Sequence, residues 1–194
     1  VDEHFVALRI EPKSEIAWVK ITPMRFSVIL AVLILAGCAA PADDAAKDTY
    51  SQNLATAKAA VQAHINADYD AWMECHSDNA VIWDAGYGTT RMTPQEAATA
   101  FAGHHDAFDG ISTTREVWLP GVDTLSLAAD GSVRAYINWS ATSKANGHEV
   151  DLRAYHYWNF NEEGKIMQEG GFYDAGGLAV AATTMPPAEE GEGE

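Results

Sequence analysis

Between Glu149 and Phe160 the even positions read Val150, Leu152, Ala154, His156, Trp158 and Phe160, while the odd positions carry Glu149, Asp151, Arg153, Tyr155 and Tyr157. In an extended chain that alternation sets one imidazole, His156, into an otherwise apolar face. A partly buried histidine with a carboxylate nearby moves protons close to neutral pH, because its ordinary pKa is about 6.5. The same position also suits a core histidine hydrogen-bonded to backbone or to a tyrosine.

Trp83, Trp139 and Trp158 fall on strand-like runs. They suit the walls of a pocket for a flat apolar ligand, and core packing accounts for them equally well. Asp84 follows Trp83 and offers a second carboxylate for acid–base work, or a turn aspartate. His105 continues the helical face of Phe101 and Phe108 towards a pocket mouth, whereas His104 points about a quarter turn away. Zinc sites on helices use histidines four apart, which this pair is not, so no metal is expected. Cys75 and His76 are helix neighbours whose side chains diverge, which leaves Cys75 as a plain thiol. Gly86 and Gly88 are too closely spaced for a nucleotide loop, and no nucleophile elbow occurs, so no cofactor is expected.

Apolar residues Tyr50, Leu54, Ala57, Val61 and Ile65 recur at helical spacing, so a long amphipathic helix is predicted over Asp48 to Asn66. Asp68 is placed to cap a short second helix with Tyr69, Trp72 and Met73, ending near His76 to Asn79. Ala80 to Asp84 reads as a first strand. Thr93-Pro94-Gln95-Glu96 is a capping box that starts a third helix running towards Phe108. Beyond Gly110 the period shortens to two in the runs Thr113 to Leu119, Val122 to Leu127, Ser132 to Ser143, Glu149 to Phe160 and Lys165 to Tyr173, which read as an antiparallel sheet. Ala129-Asp130-Gly131 and Asn161 to Gly164 have the residue types of hairpin loops. Helices first and a meander afterwards make an α+β domain.

The chain has 194 residues and a formal net charge of −16. That field repels phosphate backbones and anionic lipid head groups, so nucleic acid is excluded as a partner. Met24 and Arg25 precede an apolar run from Phe26 to Ala36, which is too short to span a bilayer and reads as an export signal. Leu35-Ala36-Gly37-Cys38 resembles the lipobox of bacterial lipoproteins, which implies lipid on Cys38 as the only membrane link. With Ala39 next, the resemblance further implies an outer-membrane lipoprotein on the periplasmic face. The expected organisation is a misassigned extension over 1–23, a signal over 24–37, a spacer over 38–47, one domain over 48–181 and an acidic tail over 182–194. Cys38 and Cys75 are the two cysteines, so no disulfide framework is available.

The order of the long helix, Asn66-Ala67-Asp68-Tyr69-Asp70-Ala71-Trp72, Asp78-Asn79-Ala80-Val81-Ile82-Trp83, Gly164-Lys165-Ile166 and Phe172-Tyr173-Asp174 resembles the nuclear transport factor 2-like superfamily, nearest its SnoaL-like members. The resemblance implies a cone-shaped, curved antiparallel sheet wrapped around the long N-terminal helix, the cystatin-like roll, with an apolar pocket at its open end. Asp174-Ala175-Gly176-Gly177-Leu178 is similar to a strand-end pattern whose aspartate is an acid/base in SnoaL-like cyclases. Gly170-Gly171, where many relatives carry large residues, departs from the family. Three readings follow. The first is a lipid-anchored protein binding a small apolar molecule through Trp83, Trp139, His156 and Trp158, with Asp84, His105 and Tyr173 around the pocket. The second is a cofactor-independent isomerase, cyclase or dehydratase using His156 and Asp174. The third is a non-catalytic module that pairs into a homodimer through its sheet.

Overall fold

The computed structural model describes residues 42–184. The expected extension, the export signal, Cys38 and residues 185–194 of the expected 182–194 tail lie outside these residues, as do the expectations placed on them, whereas 182 and 183 belong to a helix. In chain order the elements are α1 (Ala42–Ile65), α2 (Tyr69–Glu74), β1 (His76–Trp83), α3 (Pro94–Ala107), β2 (Phe108–Val122), β3 (Ala129–Ser143), β4 (Glu149–Phe160), β5 (Ile166–Phe172) and α4 (Ala175–Thr183). No helix among the described residues is long and apolar enough to cross a membrane.

Helix α1 buries Ala57, Ala60, Val61 and Ala63, small side chains that let its backbone lie close to the sheet. It ends in a Schellman arrangement: Asp68 N–H donates to Ala63 O at 2.9 Å and Ala67 N–H to His64 O at 3.0 Å, with Ala67 at φ 55°. Asp68 then caps α2, its carboxylate accepting from Ala71 N–H at 3.0 Å. The short helix presses Trp72 into the core. Helix α3 starts as the sequence indicates, with both halves of the Thr93/Glu96 capping box formed and proline in its first turn.

The sheet has five strands in the order β1-β5-β4-β3-β2. β1 runs parallel to β5, and the remaining pairs are antiparallel. This corrects the expected cone-shaped, curved antiparallel roll: the sheet is mixed and open, with β1 and β2 as its two edges rather than a ribbon closed around α1. The helical connections carry β1 to the far side of the sheet, where its direction matches that of β5. The α+β class itself stands.

Three local expectations also change. β1 begins at His76 rather than Ala80, because the His76 side chain is pinned in the interior. Val122 to Leu127 is not a strand: the Asp123 carboxylate accepts from Leu125 N–H at 3.1 Å and from Ser126 N–H and Oγ–H at 2.8 Å, which folds this segment into the β2–β3 turn. Ala129 and Asp130 therefore open β3 instead of forming the loop. Pro120 sits within β2, which tolerates a missing N–H because it is an edge strand. The Asn161 to Gly164 hairpin forms as read, with Gly164 at φ 73°.

One core joins the alanine face of α1, Trp72, Ile82, Ala97, Val133, Ile137, Trp158 and Ile166. Ala60, Val61, Trp72, Ile82 and Trp158 of this core also border a cavity between helices and sheet.

Candidate functional site

A cavity of about 130 Å³ lies between the inner sheet face and helices α1 and α3, with Leu178 of α4 also on its wall. Strand alternation decides which side chains reach it. On β4 the even positions from Val150 to Trp158 line it, as the apolar periodicity implies. Across the register, Ala135 pairs with His156 and Trp139 with Leu152 on one side, and Gly171 pairs with His156 and Glu169 with Trp158 on the other.

His156 is held from two directions. Trp139 Nε1–H donates to His156 Nε2 at 3.0 Å. Beyond its other edge lies Gly171, where an added Cβ would stand 3.0 Å from His156 Nδ1. On the opposite face a Cβ at Gly170 would fall 2.5 Å from the Tyr157 hydroxyl. The glycine pair that departs from the family pattern thus makes room for two ring side chains, one on each face. Burial pushes the His156 pKa down to about 4, against a weaker upward pull from Glu169.

Glu169 is the carboxylate that the sequence reading missed. Its Oε2 lies 2.7 Å from His76 Nε2, and the two side chains are 12% and 0% exposed. His76 Nδ1 is 2.8 Å from Trp72 O. A carbonyl only accepts, so Nδ1 carries a proton and Nε2 faces the carboxylate. Glu169 itself belongs to the cavity wall. The arrangement is a carboxylate oriented by a buried imidazole that is anchored in turn to backbone.

On another part of the wall, Tyr173 Oη–H donates to Asp84 Oδ1 at 2.7 Å, and the same oxygen accepts from Ala85 N–H at 2.7 Å. Burial, reinforced by this carboxylate, drives the tyrosine pKa well above its ordinary value. His104 lines the cavity too. Burial lowers its pKa, the Asp84 charge opposes that, and His105 adds to it.

His64 occupies the centre of an aromatic group, with ring centroids 5.6 Å from His104, 5.5 Å from His105 and 5.7 Å from Trp139. Burial, then the neighbouring His104, His105 and His156, lower its pKa to about 3. Its Nδ1 is buried without a hydrogen-bond partner.

Of the residues singled out from sequence, Trp83, Asp84, Trp139, His156, Trp158 and Tyr173 all line the cavity. Trp158 is nearly closed to solvent at 1%, whereas Trp83 is 39% exposed. His105 does not line it: His105 Nε2 is committed to His64 O at 2.7 Å, tying α3 to the end of α1. Asp174 is exposed and caps α4, accepting from Gly177 N–H at 2.8 Å. It borders an adjoining groove with Glu149, Asp151 and Arg153, which shares Val150, Leu152 and Leu178 with the cavity, and unlike His156 it does not itself line the cavity. His64 carried a readable signal, since it follows Ala57, Ala60 and Val61 on the buried stripe of α1. The His76–Glu169 pair carried none, because parallel pairing of β1 with β5 is not written in local periodicity.

No group of three or more metal-ligating side chains occurs among the described residues. The profile of the SnoaL-like domain matches residues 57–169, more than half of the chain. The sequence matches no curated protein. Among solved structures, a nuclear transport factor 2-like protein of unknown function from Burkholderia pseudomallei is 13% identical over 69% of this chain and 98% of its own, with a TM-score of 0.55. BvnE pinacolase from Penicillium brevicompactum is 16% identical over 68% of this chain and 92% of its own, with a TM-score of 0.54. AusH from Aspergillus nidulans is 19% identical over 64% and 85%, with a TM-score of 0.53. At these identities the likeness is one of fold.

The expectation of a lipid-anchored binder with a conical apolar pocket is corrected by these findings. The sheet is open, and the cavity wall carries an imidazole-held carboxylate rather than apolar groups alone. Cys38, the expected lipid site, lies outside the described residues.

Proposed function

We propose, from the premise that the chain belongs to the SnoaL-like domain family, that it is a cofactor-independent acid–base enzyme in which Glu169 carries a proton between two positions of a small substrate. The observation behind this reading is the 2.7 Å contact between His76 and Glu169 at the wall of an apolar cavity. Isomerase, cyclase and dehydratase chemistry all begin with such a step. The pinacolase among the structural neighbours lends the fold a chemical precedent.

In the step, Glu169 Oε1 takes a proton from a carbon next to a carbonyl. The C–H electron pair becomes the carbon–carbon double bond of an enolate. Glu169 becomes a neutral acid whose Oε2 accepts from His76 Nε2–H, and the positive charge of that imidazolium balances the negative charge of the enolate. Returning the proton to a different carbon completes an isomerisation with no change of oxidation state. A positioned general base contributes about 10²–10⁴-fold to such a rate. His76 is a positioning residue, and Glu169 is the catalytic one.

The test is exchange of carbon-bound hydrogen for solvent deuterium in a panel of small cyclic ketones, followed by proton NMR. Catalysed loss of the signal next to the carbonyl, abolished in Glu169→Gln, is expected. Exchange no faster than buffer across the panel, or equal in the variant, overturns the reading.

A further inference from the structure

We infer that His156 acts on the ligand as a neutral hydrogen-bond donor through Nδ1, in a tautomer fixed by Trp139 and through an opening left by Gly171, so that the cavity selects an uncharged compound presenting an oxygen acceptor. The inference deepens the proposed reaction and rests on that reading for its catalytic consequence, although not for binding.

An indole N–H only donates, so the 3.0 Å contact from Trp139 Nε1 requires a lone pair on His156 Nε2. The single proton of a neutral imidazole then resides on Nδ1. Burial keeps the ring neutral at physiological pH. Nδ1 borders Gly171, which lines the cavity, and a methyl group there would stand 3.0 Å from that nitrogen. Glycine therefore leaves the donor uncovered. With its lone pair engaged by Trp139, His156 is no base, and the proton-accepting role falls to Glu169.

The rest of the wall agrees. Its ionisable side chains are the carboxylates Asp84 and Glu169, the histidines His64, His104 and His156, all held towards neutrality by burial, and Tyr173; among the described residues no lysine or arginine lines it. A carboxylate or phosphate ligand would meet two acids and no fixed cation, at a cost that apolar contacts do not offset. During proton abstraction, a donor already oriented at the substrate oxygen stabilises the developing enolate.

The experiment uses 1-indanone, indane and indane-1-carboxylate as probes, titrated into the protein by NMR near pH 7. The ketone is expected to bind more tightly than indane by about fivefold, the equivalent of one net hydrogen bond, and the carboxylate more weakly than either. Gly171→Ala should erase the ketone's advantage while leaving indane in place, and Glu169→Gln should leave it intact, which separates this inference from the catalytic one. The nitrogen-15 spectrum of His156 should show a protonated Nδ1 and an unprotonated Nε2, with Trp139→Phe releasing the mixture of tautomers. A protonated Nε2 in the native protein, equal affinity for ketone and indane, tighter binding of the carboxylate, or no saturable binding of any probe would each overturn it.

Discussion

His76 and Glu169 are separated by 93 positions in the sequence and by 2.7 Å in the fold. The contact joins the first strand to the last across the sheet's parallel pair, and through it Trp72 O, two links away, steadies a carboxylate at the cavity. Removing one partner of so closed a pair leaves the other uncompensated. His76→Leu is therefore expected to destabilise the protein by about 3 kcal/mol, and the double variant His76→Leu/Glu169→Leu by less than the sum of the single changes. Chemical denaturation of the four proteins measures this coupling. Strict additivity would mean that the two groups do not support each other.

Asp174 has a different task. It closes the N-terminus of α4 through Gly177 N–H and stands outside the cavity wall. Asp174→Ala should cost about 1 kcal/mol of stability, as the loss of an N-cap does. Ligand binding and exchange rates should stay within twofold. A loss of activity larger than the loss of folded protein would return Asp174 to the chemistry.

The turn after α1 stores strain that can be relieved. Ala67 occupies a left-handed backbone conformation at φ 55°, which costs a residue with a Cβ about 1 kcal/mol. Ala67→Gly should raise stability by about that amount, read as a higher denaturant midpoint with an unchanged slope. An unchanged or lower midpoint would show that the turn is not strained in solution.

Acid should weaken the fold through its buried imidazoles. Burial lowers the pKa of His64 to about 3 and of His156 to about 4. The unfolded chain protonates them near 6.5, so it binds more protons than the folded chain between those limits. Their contribution is thus complete above about pH 6.5 and drains away as the pH falls towards about 4 for His156 and about 3 for His64. Around His64 the neighbours His104, His105 and His156 push the same way, while Glu169 opposes the shift at His156. His64→Leu should flatten the dependence of the denaturation midpoint on pH over that window. Parallel curves for the two proteins would remove His64 from the account.

These residues mark how far the sequence could be read. His156 was visible because a strand with period two shows a polar interruption directly, and the cavity-lining tryptophans followed from the same alternation. The Thr93/Glu96 capping box, the Asp68 cap and the Asn161 to Gly164 hairpin were legible because they are local chemistry. Asp174 stayed open between two readings, since a carboxylate after a strand looks alike whether it faces a cavity or caps the next helix. Val122 to Leu127 misled because three hydrogen bonds to the Asp123 carboxylate outweigh an alternating pattern. Glu169 was hidden in a stretch that reads as an ordinary strand, and only the pairing of β5 with both β1 and β4 turns it towards His76 and the cavity. The shape of the sheet was misjudged for the same reason: edges and closure depend on which strands meet, and the local pattern is silent on that.

The most direct measurement compares the rate of solvent-deuterium entry next to the carbonyl of a bound cyclic ketone in the native protein, Glu169→Gln and Asp174→Asn. The account expects exchange above buffer in the native protein, a drop of at least 10²-fold in Glu169→Gln and an undiminished rate in Asp174→Asn. Equal rates in the native protein and Glu169→Gln, or loss of exchange in Asp174→Asn alone, would contradict it.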